Sequence, residues 1–445
     1  MNDKIREVKS RTSFRSCLAF ALAGASFLSA QTRKPPKKDL PPSAVKLAAI
    51  KGTGSKRYSS EQIVAATGLE IGKTADDADF KKAAQSLGET GAFTDVLYSF
   101  QTAPEGTKVE FQVTDSDHLV PARFDNLVWF SDQELLDGLR TRVPLFQGEL
   151  PVTGTLADQV SDALQAMLLE KNVQGRVDYL RSAKSDGPID AIVYSVTGHR
   201  VRIRYAGFAG AGQEELPDLG PPALKLQGVD YSRAMLRGQC NSYFIPVYLS
   251  RGYLKASFAD AQAKVMKDGP DSTLVDVSLR VTRGPQYKLS GIEWSGNSIF
   301  PPEKLQSLLH GHIGDSANAV QLDADLDAVK QLYGTRGFLM ATVTAEPHLD
   351  DAQATVKYLL QVHEGEVYKM GDLDIQGLDS RTTARLVEEW QIRGGDAFDS
   401  SYPEKFQNEV RKLLPAGDWS VSTHLSTDDK DKTVEVTLRY DPKNR

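Results

Sequence analysis

The 445-residue sequence predicts an α+β protein, a tandem array of about five β-α-α-β-β modules. Two internal near-repeats and one recurring order of elements predict it. "YLSRGYLKASF" at 248–258 returns as "YGTRGFLMATV" at 333–343, keeping an aromatic, Arg-Gly, a second aromatic and a small residue in place. Aligning Gly284 on Gly365, an offset of 81, sets Tyr287 on Tyr368, Ile292 on Leu373, Trp294 on Ile375 and Gly296 on Gly377. Val275, Val277, Leu279 and Val281 then fall on Val356, Tyr358, Leu360 and Val362 without a gap. A fixed period of this length marks repeated supersecondary units.

Residues 1–30 read as a secretory signal. Lys4, Arg6, Lys9, Arg11 and Arg15 precede the apolar run "CLAFALAGASFLSA", which ends in small residues. That run is too short for a bilayer, which needs about 20 apolar residues, so an uncleaved anchor is the weaker alternative. "QTRKPPKKDLPPS", within the 31–43 linker, is basic and proline-rich, an extended spacer. Arg33, Lys34, Lys37 and Lys38 suit peripheral contact with anionic headgroups, against the plainer expectation of a solvated tail.

The first module, 44–117, carries the helical run "FKKAAQSLGE", a stop at Gly91-Ala92-Phe93 and a strand, then alternating Val109, Phe111 and Val113. The second, 118–199, repeats this with "SDALQAMLLEKNVQGRVDYL" and Ile189 to Val196 but lacks the aromatic after its stop. The third, 200–285, is the least regular: "GAGQEELPDLGPPALKLQG" at 210–228 reads as an insert, and Pro246 should kink the second helix. In the fourth, 286–366, Leu326, Val329, Leu332 and Tyr333 form one helical stripe. Gly337 ends that helix, because glycine takes the left-handed C-terminal position cheaply. Phe338, Ala341 and Val343 are expected in the strand that leaves it. The fifth, 367–445, runs from "YPEKFQNEVRKLLPAGDWSVSTHL" to Val434, Val436, Leu438 and Tyr440. The Arg-Gly-aromatic punctuation is therefore structural, a helix stop followed by a strand start.

Composition narrows the chemistry. A net charge of −6 argues against nucleic acid as the main partner, and 40% hydrophobic with 25% charged residues fits a globular chain. Removal of Cys17 with the signal leaves Cys240 as a single thiol, expected buried and inert. The seven histidines form no ligand set: "HGH" at 310–312 lies between helices without a spaced third ligand. "GTGSK" at 52 is too short for a phosphate loop, and "GFAGAGQ" at 207 leads into an acidic, proline-containing stretch. No nucleophile elbow occurs. Glu388-Glu389 and Asp428-Asp429 read as solvated faces. No catalytic, metal or cofactor site is expected, and the chain is not expected to be an enzyme.

Four motifs carry a family resemblance: "GYLKASF" at 252, "GFLMATV" at 337, "VHEGEVYKM" at 362 and "GGDAFDSSY" at 394. With their regular spacing, the chain resembles a tandem array of POTRA (polypeptide-transport-associated) domains of outer-membrane assembly and translocation proteins. The fourth module is clearest, the third and fifth follow, and the first two match mainly in order. The resemblance implies a three-stranded mixed sheet with two helices on one face in each module. It also implies a periplasmic location and the handling of unfolded outer-membrane proteins. In those proteins a membrane β-barrel follows the last module; here only "DPKNR" follows Tyr440, so barrel and pore functions are not carried over.

An open sheet edge offers unpaired N–H and C=O groups to an extended client, largely regardless of its sequence. The candidate edges are Tyr253, Leu254, Lys255, Ala256, Ser257 and Phe258, and Phe338, Leu339, Met340, Ala341, Thr342 and Val343. The expected partners are unfolded outer-membrane proteins, or a separate outer-membrane β-barrel or assembly subunit docking on the same surface. The alternative is a structural adaptor joining subunits of a cell-envelope assembly complex.

Overall fold

The computed structural model describes residues 46–183 and 187–443. The signal and linker expectations lie outside them. Among the described residues no helix is long and apolar enough to cross a membrane.

The strands of the described residues form five sheets in chain order. The first module holds β1 (Leu47–Thr53), α1 (Ser60–Thr67), α2 (Asp77–Glu89), β2 (Phe93–Ala103) and β3 (Gly106–Asp115). The second holds β4 (Leu119–Phe124), α3 (Asp132–Arg142), β5 (Glu149–Pro151), α4 (Leu156–Glu170), β6 (Arg176–Ala183) and β7 (Ile189–Thr197). The third holds β8 (Arg200–Ala209), α5 (Leu216–Leu224), α6 (Arg233–Gln239), α7 (Ile245–Leu249), β9 (Ser257–Phe258), β10 (Gln262–Asp268) and β11 (Ser272–Thr282). The fourth holds β12 (Lys288–Ser295), α8 (Pro302–Gln306), α9 (Ala319–Gly334), β13 (Thr342–Asp350) and β14 (Thr355–His363). The fifth holds β15 (Lys369–Gln376), α10 (Ser380–Glu389), α11 (Tyr402–Glu409), β16 (Trp419–Asp428) and β17 (Thr433–Pro442).

Each sheet places the module's last strand in the centre. The first strand lies parallel to it and the middle strand antiparallel, as in β12-β14-β13 and β15-β17-β16. The parallel pairing needs a long crossover, which the two helices supply. The central strands alternate as the sequence predicts: Val356, Tyr358, Leu360 and Val362 are buried on β14, and Val434, Val436, Leu438 and Tyr440 on β17. The first strand usually ends at a glycine with positive φ against the central strand. A Cβ on Gly296 would sit 2.1 Å from the Val362 carbonyl oxygen, and one on Gly377 2.0 Å from that of Tyr440. In the second module Asn126 replaces it, its side chain accepting from the Val196 N–H at 2.7 Å and donating to the Val196 carbonyl at 3.0 Å.

The structure corrects three expectations. Residues 210–228 are not an insert: they hold α5, the third module's first helix. Pro221 and Pro222 inside it hide a helix seated by buried Leu219 and Ala223. Pro246 does mark an irregularity, and α6 and α7 are joined by a π-helical turn over Cys240–Phe244, a known response to a break in the i→i−4 ladder. The second correction concerns the strands after the helix stops. They begin at Ser257 and Thr342, because residues 253–256 and 338–341 make one further turn first. The Ala256 N–H bonds the Tyr253 carbonyl at 3.0 Å and the Ala341 N–H that of Phe338 at 3.2 Å. The third concerns the division into modules: a tandem array implies a core for each module, and the first two share one.

Among the described residues there are four clusters of buried apolar side chains, and one runs unbroken from Leu47 to Val196 through both modules. Residues 201–281, 287–362 and 368–440 hold the other three. Cys240 is buried in the third module's core, and burial pushes its thiol up to about 11.

Candidate functional site: open edges and the joints that set them

The helix stop is built as the sequence requires. The Phe338 N–H reaches the Tyr333 carbonyl at 3.2 Å and the Gly337 N–H that of Gly334 at 3.2 Å. Tyr253 and Gly252 make the corresponding bonds to Tyr248, at 3.1 Å, and Leu249, at 3.2 Å. Both are Schellman closures with the glycine left-handed, at φ 84° for Gly252 and 86° for Gly337.

These glycines also have a second role that the sequence did not reveal. The Gly252 carbonyl accepts the N–H of Tyr287 at 2.8 Å, and the Gly337 carbonyl that of Tyr368 at 2.8 Å. Each of these tyrosines opens the next module. A Cβ on Gly252 would lie 2.7 Å from the Tyr287 oxygen, and one on Gly337 2.7 Å from that of Tyr368. The Arg-Gly-aromatic punctuation is thus a joint as well as a stop. Around it, the Arg251 carbonyl accepts from Ser316 Oγ at 2.7 Å and Gln286 Nε2 at 2.8 Å, and Tyr287 donates to Asp351 at 2.5 Å. Lys255 reaches the same Asp351 at 2.7 Å. The Tyr368 hydroxyl donates to Asp429 at 2.5 Å in the same manner.

The predicted edge residues therefore divide. Leu254 packs on the fourth module's core and Leu339 on the fifth's, and Lys255 is tied to Asp351. Tyr253 lies under the Arg283 guanidinium, and Phe338 and Ala341 are buried. Met340 is exposed. Ala256, half-buried, closes the turn. Only Ser257, Phe258, Thr342 and Val343 lie in strands. Ser257 and Phe258 pair with Thr282 and Val281, Thr342 and Val343 with His363 and Val362.

Each sheet has two edges, and the chain treats them differently. The first-strand edge is bridged by the segment between the helices: Lys46 to Thr74, Arg202 to Asp230, Lys288 to Ser316 and Lys369 to Ala397. In the second module this bridge extends to a strand, β5, paired with β4. Among the described residues no strand lies on the outer side of the middle strands β2, β6, β10, β13 and β16. They differ in how far they discourage pairing. β10 carries Lys264 and Lys267, β6 carries Arg176 and Arg181, and β13 has Pro347, which has no N–H to give. β2 and β16 contain no Lys, Arg or Pro, and β16 is exposed along nearly its whole length.

Among the described residues no group of three or more His, Cys, Asp or Glu side chains gathers as a metal site would. The "HGH" stretch does fall between helices. His310 Nδ1 lies 2.6 Å from Asp325 Oδ1, a buried carboxylate that the sequence did not single out. Burial pushes the Asp325 carboxyl up, but bonds from the His310 N–H, Gln321 amide and His310 ring hold it below the ordinary carboxylate range. Glu364, the acid of "VHEG", likewise falls below it: burial raises it, and the Ile299 N–H, Ser298 and the Tyr333 hydroxyl lower it further.

Residues 287–365 match the POTRA family, described as "Surface antigen variable number repeat". The chain is 28% identical over 169 residues to a putative outer membrane protein assembly factor of Treponema pallidum, covering 38% of this chain and 20% of that one. It is 21% identical over 429 residues to the outer membrane protein assembly factor BamA of Nitratidesulfovibrio vulgaris, covering 89% of this chain and 51% of that one. The chain thus spans about half the length of the second relative and a fifth of the first. Among solved structures, POTRA domains 3–5 of Haemophilus influenzae BamA align over 54% of this chain and 95% of that one, at 21% identity and a TM-score of 0.42. The fourth module is a POTRA domain, and the modules around it repeat its β-α-α-β-β order, with β5 added in the second and α7 and β9 in the third.

Proposed function

We propose that this chain is a periplasmic POTRA array that binds or relays unfolded outer-membrane proteins by strand addition during outer-membrane assembly. One observation carries the reading: among the described residues, all five sheets bridge their first-strand edge and leave the middle-strand edge without a partner strand. An extended client can extend any of these sheets through main-chain bonds. About four such bonds, at roughly 0.5–1.5 kcal/mol net each, leave little after the cost of association. Binding at one module is therefore weak and reversible, which suits passing a chain along an array. The names of the relatives, outer membrane protein assembly factors, support this assignment.

Of the twelve residues first considered, Ser257, Phe258, Thr342 and Val343 remain in the proposed edges. The others serve the joints or the turns before them, and β2 and β16 join the proposal as the least obstructed strands. Photocrosslinking in cells from Ser99 on β2, Thr344 on β13 and Ser422 on β16 tests it. Many unfolded barrel precursors are expected at these positions. A single fixed partner at all three would instead identify an adaptor between envelope subunits.

A further inference from the structure

The fourth module contains a cavity of about 260 Å³ between its sheet and α9. Its origin is visible in the fifth module, whose residues correspond at the offset of 81: the Ala317 N–H bonds the Tyr287 carbonyl as the Phe398 N–H bonds that of Tyr368. The fifth module fills this place with rings. Trp390 lies 4.8 Å from Tyr402 and 4.9 Å from Phe406, with Phe398 fully buried nearby. In the fourth module the equivalents are Leu309, Gln321, Asp325 and Ala317, and all four line the cavity. On the sheet, Tyr358 is larger than its counterpart Val436, yet the space remains open.

Asp325 is the telling exchange, a carboxylate only 2% exposed where the fifth module has a core phenylalanine. Burying a charge is costly, and well-packed apolar residues usually serve stability as well or better. The carboxylate accepts from the His310 N–H at 2.8 Å and Gln321 Nε2 at 2.8 Å, and His310 Nδ1 lies at 2.6 Å. A carboxylate offers about four acceptor sites; these contacts use three, and Asp325 lines the cavity wall. The volume lies just below the roughly 300–1,000 Å³ of drug-sized sites, room for a single ring.

We propose that this cavity binds one aromatic ring bearing an N–H or O–H donor, the side chain of a Trp or Tyr in an extended polypeptide. The guest's ring takes the place that the fifth module fills internally, and its donor meets Asp325. This deepens, and in its polypeptide source rests on, the proposed client-binding function.

The test titrates the full chain with indole and with benzofuran, which has the same shape without the N–H. Methyl NMR of Leu289, Ile292, Leu309 and Leu322 reports the cavity. Saturable shifts are expected, with indole bound roughly ten-fold more tightly, the scale of a charge-assisted bond. Asp325→Phe should abolish the shifts by restoring the fifth module's plug. Should that variant fail to fold, Asp325→Ala keeps the space and should bind both probes alike. Absence of saturable shifts, equal wild-type affinities, or shifts that persist in a folded Asp325→Phe each overturn the site. A Trp-containing peptide that perturbs β13 or β16 amides but not these methyls overturns the site alone. Failure of both probes and peptide overturns the proposed function with it.

Discussion

At the residue scale, the glycines of the repeated motif do two jobs at once. Gly337 was legible as a helix stop, since an Arg-Gly-aromatic run after an apolar stripe needs a left-handed residue. Its bond to Tyr368 was not, because a local pattern says nothing about which distant amide meets an exposed carbonyl. The two roles can be separated. Gly314 also has positive φ, at 95°, but a Cβ there would meet nothing within 4 Å. Both Gly→Ala variants should lose about 1–2 kcal/mol from the left-handed backbone. Gly337→Ala should lose more, through its contact with the Tyr368 oxygen, and should speed hydrogen exchange of the Tyr368 amide while Gly314→Ala leaves it unchanged. Glu364 allows a pH test. It binds the Ser298 N–H at 2.6 Å, the Ile299 N–H at 2.8 Å and the Tyr333 hydroxyl at 3.0 Å. Since its folded pKa lies below the unfolded value of about 4.3, its stabilisation is complete above that pH and disappears as pH falls through the folded value. Glu364→Ala should cost about 1–3 kcal/mol at pH 7, and the gap from wild type should narrow in acid melts.

At the element scale, the sequence conveyed periodic strands and long helices well and short or proline-bearing elements badly. The alternation on β11, β14 and β17 and the stripe of α9 follow directly from spacing. α5 was hidden because adjacent prolines suggest a loop; its first turn and its buried Leu219 carry it instead. β5 has three residues and a proline, so only its pairing with β4 defines it as a strand. The open edges were legible as a principle but misplaced by four residues, since no local pattern marks the extra turn before β13. Pro347 supplies the test at this scale. On β13 it deprives an added strand of one N–H, so Pro347→Thr should tighten binding of an extended peptide to the fourth module. The expected gain is up to about ten-fold, one net hydrogen bond, read from chemical-shift titration of β13 amides. An unchanged affinity would mean that clients do not use this edge.

At the scale of the whole molecule, the array is not uniform. The first two modules are joined by main-chain bonds, Thr155 N–H to the Glu89 carbonyl at 2.8 Å and Leu156 N–H to that of Thr90 at 3.3 Å. Gln62 reaches the Pro144 carbonyl at 3.0 Å and Gln147 that of Arg57 at 2.7 Å. Gly91 and Gly154 let the backbones meet, since a Cβ on Gly91 would stand 2.0 Å from the Thr153 oxygen. With one apolar core beneath these bonds, the pair should open as one cooperative unit, whereas modules with cores of their own should open separately. Leu87 on α2 and Leu305 on α8 are both fully buried and suit a matched comparison. Each Leu→Ala change should cost about 2–5 kcal/mol locally. In hydrogen-exchange mass spectrometry, Leu87→Ala should raise exchange across β1 to β3 and equally across β4, β6 and β7. Leu305→Ala should raise it in β12 to β14 and leave β15 to β17 protected. If the Leu87→Ala effect stopped at Asp115, the shared core would not couple the two modules, and the chain would behave as five independent units.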